Sequence, residues 1–439
     1  MLNDSVKNLF SLPYISYANH ALSLDIKQYQ QIQNKLFKNM YSHAVLHVPY
    51  YFKNRDRYPQ TSNHDSCYDF IKKLPVIKKE ILRENNELFV SSKKKKWCTS
   101  HTTSGTTGTP LTIYATFFER ALSHAILKNW YKKIVGCSAT LPIIALSGFM
   151  TPGKKEDLFW AGYGGKHIFL NIYSFNSRNA DKLVSLIKKC QTGLLFGYAS
   201  SLAELARIVE GRLIKYKSNF VAVSTSEILT TDYRAIIENN LCRKVYDQYA
   251  SQEGAHLAIE CDEGHFHVHP YVGIIEILNE HDEPCQHAEE GRVIVTGFKK
   301  AMPLVRYEIG DTATAFNQLC NCGLSWPVIG PIVGRSEDLV ATPDGRRVGY
   351  LNFHATKNLK GIAESQLIQK GFKKFIFNVV LDAESVEQKE MIFFNETSIV
   401  EQLRKRLGYD IDVKFMYMED IPREGSRNKF KSVKVDFNP

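Results

Sequence analysis

Little in the chain marks it for export or for a membrane. Its opening, MLNDSVKNLFSLPYISYANH, has no basic region followed by an apolar core and a small-residue cleavage site. No stretch approaches the run of about eighteen apolar residues that a spanning helix needs, so the reading is a cytoplasmic protein without a transmembrane segment. Nine cysteines in 439 residues, an odd number without a secretion signal, argue against a disulfide framework and for reduced thiols. Internal repeats and low-complexity tracts are missing. So are nucleic-acid modules and any alternation of aromatic and basic residues, which sets nucleic acid aside as a partner. The net charge of +10, from 56 Lys and Arg against 46 Asp and Glu, is diffuse. Its densest run, Lys93–Lys96, reads as solvated surface, and a nucleotide with an anionic substrate accounts for the excess at least as well as a polyanion or an anionic membrane face.

What is present is a globular composition, 44% hydrophobic and 23% charged, in a chain long enough for a large core and a second domain. Residues 101–110 read HTTSGTTGTP. Gly105 and Gly108 can take positive φ and let backbone N–H groups close on an anion, while Thr102, Thr103, Ser104, Thr106 and Thr107 add hydroxyl donors. No Gly-Lys-Ser/Thr follows, so this is not a Walker loop. Taken alone it reads equally as a glycine-rich surface turn.

Along the chain, Ile26, Tyr29, Ile32, Leu36 and Met40 fall three or four apart and predict an amphipathic helix within 15–46. Helical and strand patterns then alternate. Helices are expected over 117–135, 201–210 and 231–240, with strands over 141–146, 194–197 and 220–227 and then KVYDQYAS, which argues for a parallel α/β sheet. Ligands on such sheets bind beyond the carboxyl ends of the strands, where 224–227 and 249–253 fall. From Val272 strands follow one another without helices (VGIIEIL, GRVIVTGF, PLVRYEI), which predicts an antiparallel subdomain. After Gly334 the pattern restarts with a turn at 343–345, strands near 372–381 and 391–394, a helix carrying Ile399, Leu403 and Leu407, and the strand DVKFMYM. This reads as a small α+β domain of about a hundred residues hinged near 335–338.

Five segments together carry a family resemblance. The glycine-rich loop, YASQEG at 249–254, RYEIGD at 306–311, GRSED at 334–338 and a near-terminal Lys429 occur in the order seen in adenylate-forming enzymes. More narrowly, the chain resembles the phenylacetate-CoA ligase family, in the branch associated with capsule and other surface polysaccharides, over nearly its whole length. The resemblance implies an α/β adenylation domain over 1–334, with parallel sheets plus an antiparallel subdomain, and a mobile α+β lid over 335–439. It implies ATP and Mg²⁺ as cofactors and a carboxylic acid as substrate, activated as acyl-AMP with release of pyrophosphate. Coenzyme A is the acceptor that the broader family implies; a carrier thiol, an amino acid or a sugar amine stays open for this branch.

Residue roles follow the same resemblance. Thr103, Ser104, Gly105, Thr107 and Gly108 would hold phosphates, with Thr106 counted beside Glu253 and Lys429 among the catalytic residues. Glu253 would bind Mg²⁺, a hard cation that prefers oxygen. Tyr249 would lie along the adenine with Ser226 and Glu227 nearby. Asp311 would accept hydrogen bonds from both ribose hydroxyls, and Arg335 would reach the same ribose. Lys429 sits in PREGSRNKFKSV, where Asn428 replaces the family's glycine and Lys431 its arginine. Singly, Asp311 reads equally as a turn residue, Glu253 as a charge at a helix start and Lys429 as part of a basic tail. Phe196, Gly197 and Tyr198, with 147–149, fall where the family's carboxylate pocket would be, though aromatics there equally suit a core.

Cys320 and Cys322 in LCNCG resemble a thiolate knuckle. Cys261 and His267, in ECDEGHFHV, lie where some family members supply the other ligands of a structural zinc, with His265 or His269 as substitutes for His267. A pair of reduced loop cysteines is the plain alternative. The altered C-terminal lysine motif leaves a second function open: a catalytically lapsed homologue serving as a zinc-stabilised binding protein in polysaccharide assembly.

Overall fold

The computed structural model describes residues 14–60, 66–102, 111–133, 142–147, 158–162, 167–171, 177–251, 253–254, 257–335, 340–343, 347–348, 361–381, 389–407, 410–423 and 430–437. The chain divides into two compact units, Met1–Ile309 with Ala313–Ile332, and Gly310–Thr312 with Val333–Pro439.

In the first unit, helix α1 (Ile26–His47) starts at a capping box. Asp25 accepts from the Gln28 N–H at 2.7 Å while the Gln28 side chain accepts from the Asp25 N–H at 3.0 Å. This start separates α1 from the helical residues 14–21, so the single helix expected over 15–46 is two. The buried stripe also differs from the expected one. It runs Tyr29, Gln33, Phe37, Met40, Tyr41 and Ala44, with Ile26 left outside. Gln33 is tolerated in it because its amide donates to the Pro270 and Gly273 carbonyls, both at 3.0 Å.

Strands β1 (Cys98–Thr102) and β2 (Thr112–Thr116) form a separate antiparallel pair with Thr102 opposite Thr112, so the two ends of the glycine-rich loop are held side by side. Helix α2 (Phe117–Lys133) follows. The main sheet then begins with β3 (Ile143–Ser147), β4 (Phe159–Gly162), β5 (His167–Asn171), β6 (Gly193–Gly197), β7 (Phe220–Thr225), β8 (Val245–Ala250), β9 (Leu257–Glu260) and β10 (Phe266–Val268). It continues through β11 (Gly273–Leu278), β12 (Glu290–Gly297), β13 (Tyr307–Ala315) and β14 (Val328–Arg335). The twelve strands lie in the order β11-β12-β13-β14-β10-β9-β8-β7-β6-β3-β5-β4.

The stretch β5, β3, β6, β7 and β8 is parallel, joined by helical crossovers α3 (Ala180–Cys190), α4 (Ala199–Ile208) and α5 (Thr231–Asn240). Phe220 to Ser224 in β7 are all buried, as a strand covered on both faces must be. Beyond β8 the pairing turns antiparallel, from β8–β9 and β9–β10 to β11–β12. This matches the helix-free run from Val272. Strands β4, β5, β9 and β10 have no counterpart in the pattern reading, being short or interrupted by histidine and glycine.

The second unit holds a hairpin, β15 (Val340–Ala341) with β16 (Arg347–Val348), and a four-stranded sheet in the order β19-β18-β17-β20. The sheet comprises β17 (Ile362–Gly371), β18 (Lys374–Leu381), β19 (Asp412–Tyr417) and β20 (Val433–Val435). Helix α6 (Lys389–Leu407) buries Ile399, Leu403 and Leu407 against Phe375, Phe377 and Val379. A strand expected over 391–394 is instead the first part of this helix, because the helical repeat of the downstream residues continues upstream without a Gly or Pro to stop it.

No helix among the described residues is long and apolar enough to cross a membrane.

Candidate nucleotide and metal sites

The parallel register pairs Ser224 with Asp247 and Thr225 with Gln248. Ser226 and Tyr249 are therefore the next residues on two adjacent strands, both at carboxyl ends. Ser226 sits at φ +66°, a left-handed conformation that costs a non-glycine residue energy and re-aims the chain directly after β7. Glu227 has one oxygen committed: it accepts the Ser200 N–H at 3.0 Å, satisfying one of the orphan donors at the start of α4. Tyr249 is buried in the large aromatic core with Ile274, Val295 and Leu304. Glu253 is half-buried just beyond β8, followed by Gly254 at φ +59°.

Asp311 lies half-buried in β13 directly after Gly310, whose φ of +87° marks an irregular strand backbone. Arg335 ends β14. In the same RYEIGD segment, Arg306 proves to be structural. It is buried and donates to the Leu74 carbonyl at 2.8 Å, the Lys72 carbonyl at 3.2 Å and Glu276 at 3.1 Å. Thr103, Ser104, Gly105, Thr106, Thr107, Gly108 and Lys429 lie outside the described residues, as do Phe149 and Glu337. Phe196 packs on Tyr131, and a Cβ on Gly197 would meet Leu146 at 2.9 Å, so these two residues serve the core.

A group that pattern reading missed comprises Glu119, Arg120 and Lys299, with Glu253 within electrostatic reach of Lys299. Glu119, in the first turn of α2, has both oxygens saturated. One accepts the Lys300 and Ala301 N–H groups at 2.7 and 3.1 Å, and the other accepts the Thr116 N–H and hydroxyl at 2.7 and 2.9 Å. Arg120 donates to the Thr99 carbonyl at 3.1 Å and contacts His101 Nδ1 at 2.9 Å, bracing β1 just before the glycine-rich loop. Lys299 has no hydrogen bond or ion pair with another described residue. Burial pulls its ammonium below the ordinary lysine value, with Arg120 adding to the pull and Glu119 and Glu253 opposing it. Lys299 and Gly254, with Ser123, Tyr271 and Phe298, line a recess of about 50 Å³. A wider open hollow of about 620 Å³, beside Leu158, Phe159 and Lys189 at the β4 edge, contains none of the expected nucleotide residues.

Beneath the β8 end lies a buried acid pair. The Asp247 N–H donates to Glu260 at 2.6 Å, and Arg234 donates to the other Glu260 oxygen at 2.7 Å. Burial first, and then the Glu260 charge, push the Asp247 carboxyl up to about 7.

Cys261, His267, Cys320 and Cys322 converge, with one ligand atom from each lying within 4.8 Å of all the others. Cys261 and Cys320 sulfurs are 3.7 Å apart, and Cys322 Sγ is 3.2 Å from His267 Nε2. Zinc–sulfur bonds of about 2.3 Å in a tetrahedron place sulfurs about 3.7 Å apart, so the spacing fits zinc. His267 Nδ1–H donates to the Trp326 carbonyl at 3.2 Å, which fixes the tautomer and leaves Nε2 facing the thiols. Burial holds the imidazole down at about 4, so it is neutral and ready to ligate at ordinary pH. His265 instead contacts Cys320 from one side at 3.2 Å, and His269 packs against Trp326 away from the four.

The α/β architecture with its small C-terminal unit is that of adenylate-forming ligases. The structure of 2-hydroxyisobutyryl-CoA ligase in the postadenylation state with R3-HIB-AMP superposes with a TM-score of 0.71 at 15% identity, covering 94% of this chain and 91% of that one. In sequence, residues 340–436 match the CapK C-terminal domain family. The chain is homologous to protein CapK of Staphylococcus aureus, 24% identical over 91% of this chain and 88% of CapK. It is also homologous to phenylacetate-coenzyme A ligase of Thermus thermophilus, 22% identical over 72% of this chain and 73% of the relative.

Proposed function

We propose that the chain is an ATP- and Mg²⁺-dependent adenylate-forming ligase acting in surface-polysaccharide biosynthesis. In this reading a carboxylate oxygen attacks the α-phosphorus of ATP and the bond from that phosphorus to pyrophosphate breaks; the thiol or amine of coenzyme A or another acceptor then attacks the acyl carbon, and the bond to AMP breaks with release of AMP. The observation that carries the reading is the side-by-side placement of Ser226 and Tyr249 at the carboxyl ends of β7 and β8, the place where a parallel sheet binds ligands, with Glu227 and Glu253 following them in sequence.

Glu253 would hold Mg²⁺, which supplies charge neutralisation between two anions that otherwise repel. Thr103–Gly108 would cradle the phosphates, with Thr106 at the reacting end, and Asp311 and Arg335 would take the ribose. Lys299 would face the anions entering beside Glu253, since Glu119 is already taken by three backbone N–H groups and the Thr116 hydroxyl. Lys299→Met is therefore expected to lower kcat/KM about tenfold to a hundredfold, the worth of one hydrogen bond to a charged group. Unchanged steady-state kinetics in that variant would remove Lys299 from the site.

The direct test is ATP–pyrophosphate exchange over a panel of carboxylic acids. Exchange with at least one acid is expected. Its absence from zinc-replete protein across the whole panel would leave the alternative, a zinc-stabilised binding protein that has lost catalysis.

The lid expectation has its own test. If Lys429 touches only the adenylation transition state, Lys429→Ala cripples exchange and spares transfer from a chemically supplied acyl-adenylate. Glu337→Pro, which fixes φ near −65°, should block the second step and spare the first. Equal loss of both half-reactions in both variants would point instead to a damaged fold or to a rigid site with one conformation.

A further inference from the structure

The run Lys93–Lys96 has no part in the chemistry above, and the structure gives it unusual company. Lys95 is occupied by an ion pair with Glu87 at 2.7 Å. Lys93, Lys94 and Lys96 have no ion pair among the described residues, and Trp97 directly after them is 75% exposed. The Ser92 N–H and hydroxyl both donate to the His47 carbonyl, at 2.9 and 3.0 Å. That tether fastens the lysine run to the end of α1, where Leu46 is 58% and Phe52, in the short helix Pro49–Lys53, is 53% exposed. Three large apolar side chains thus stand in water within a few residues of one junction. His43, which meets Ser91 Oγ at 2.8 Å, is pressed down to about 4 by burial first and then by His47, Lys300, Lys94 and Lys93 within electrostatic reach.

Exposed apolar residues scattered singly need no explanation, but three of them within five residues of a tether that also carries three lysines without an ion pair among the described residues do. A nucleic acid or a soluble polyanion would be served by the lysines alone and would gain little from Leu46 and Phe52. An anionic bilayer uses both parts: the lysines sit at the negative surface while tryptophan and aliphatic side chains enter the headgroup boundary.

We propose that the Leu46, Phe52, Trp97 and Lys93–Lys96 corner docks this protein reversibly on an anionic lipid surface. The attachment is peripheral, formed by loop and helix-end residues at the interface.

Cosedimentation of the full chain with vesicles of phosphatidylcholine alone, and with about one third phosphatidylglycerol, tests it. Binding to the anionic vesicles only, weakening with salt, is expected. Replacing Lys93, Lys94 and Lys96 by Gln should reduce partitioning by roughly fivefold per lysine. Trp97→Ser should weaken binding while leaving the salt dependence in place, and the emission blue shift expected when vesicles are added to the parent should disappear with it. The far-ultraviolet dichroism of both variants should match the parent, since every altered side chain is at the surface. No partitioning to anionic vesicles, or equal partitioning of the triple variant, would overturn the proposal. So would duplex DNA competing away vesicle binding in a manner that Trp97→Ser does not alter, since that marks a bare polyanion site.

Discussion

Glu253→Ala is expected to lower ATP–pyrophosphate exchange by roughly a hundredfold to a thousandfold, the usual cost of removing one electrostatic contact made to a reacting centre. Glu253 is half-buried in the turn after β8 and contributes little to the core, so the variant should keep the parent's melting temperature. Asp311→Ala is expected to lose a comparable factor through nucleotide binding, since a half-buried carboxylate in β13 can be trimmed without opening a large cavity. Exchange rates near the parental value in Glu253→Ala would remove the metal-binding role from that residue. Lost exchange accompanied by a lowered melting temperature would show instead that the turn beyond β8 holds the sheet together. Glu253→Gln separates charge from shape: a role in metal binding predicts that it behaves like the alanine variant.

The parts of this arrangement that were legible in the sequence are those set by periodicity or by a compact motif. The central strands β6 and β7 stand out because strands buried on both faces read as apolar runs. Helix α5 stands out because Thr230 caps it, accepting the Tyr233 N–H at 3.1 Å. Residues whose partners lie far away in the chain were not legible. Glu119 closes on backbone donors at 300 and 301, and Arg306 closes on carbonyls at 72 and 74. Neither position differs locally from an ordinary surface charge, and only the three-dimensional closure shows that one is saturated and the other buried. Gln33 sits in the buried stripe of α1 for the same reason, which is why the expected stripe was displaced. Lys299 is the converse case: it is buried without a hydrogen bond or ion pair to another described residue, and a sequence cannot display that.

Zinc removal is expected to have the largest effect on stability. The protein as purified should carry one equivalent of zinc held by Cys261, His267, Cys320 and Cys322, a closed set with no position left for a catalytic water. The set ties the turn after β9 and strand β10 to the loop that precedes β14, segments separated by more than fifty residues, so losing it frees a long loop as well as a metal. Structural zinc in small domains binds with about 10–16 kcal/mol, and a whole domain is stable by only about 5–15 kcal/mol. Cys322→Ser or exhaustive chelation should therefore lower the melting temperature sharply, while molecules that remain folded retain most of their exchange activity. Rebinding should release protons from the thiols, since burial pushes Cys261 up to about 12 and raises Cys322 in the metal-free protein. His267, already neutral above about pH 4, adds none near neutrality. Affinity must then rise with pH, because each thiol exchanges a proton for the metal. Elemental analysis showing well under one equivalent, or a melting temperature indifferent to both Cys322→Ser and chelator, would reduce the cluster to a set of reduced loop cysteines packed beside a histidine.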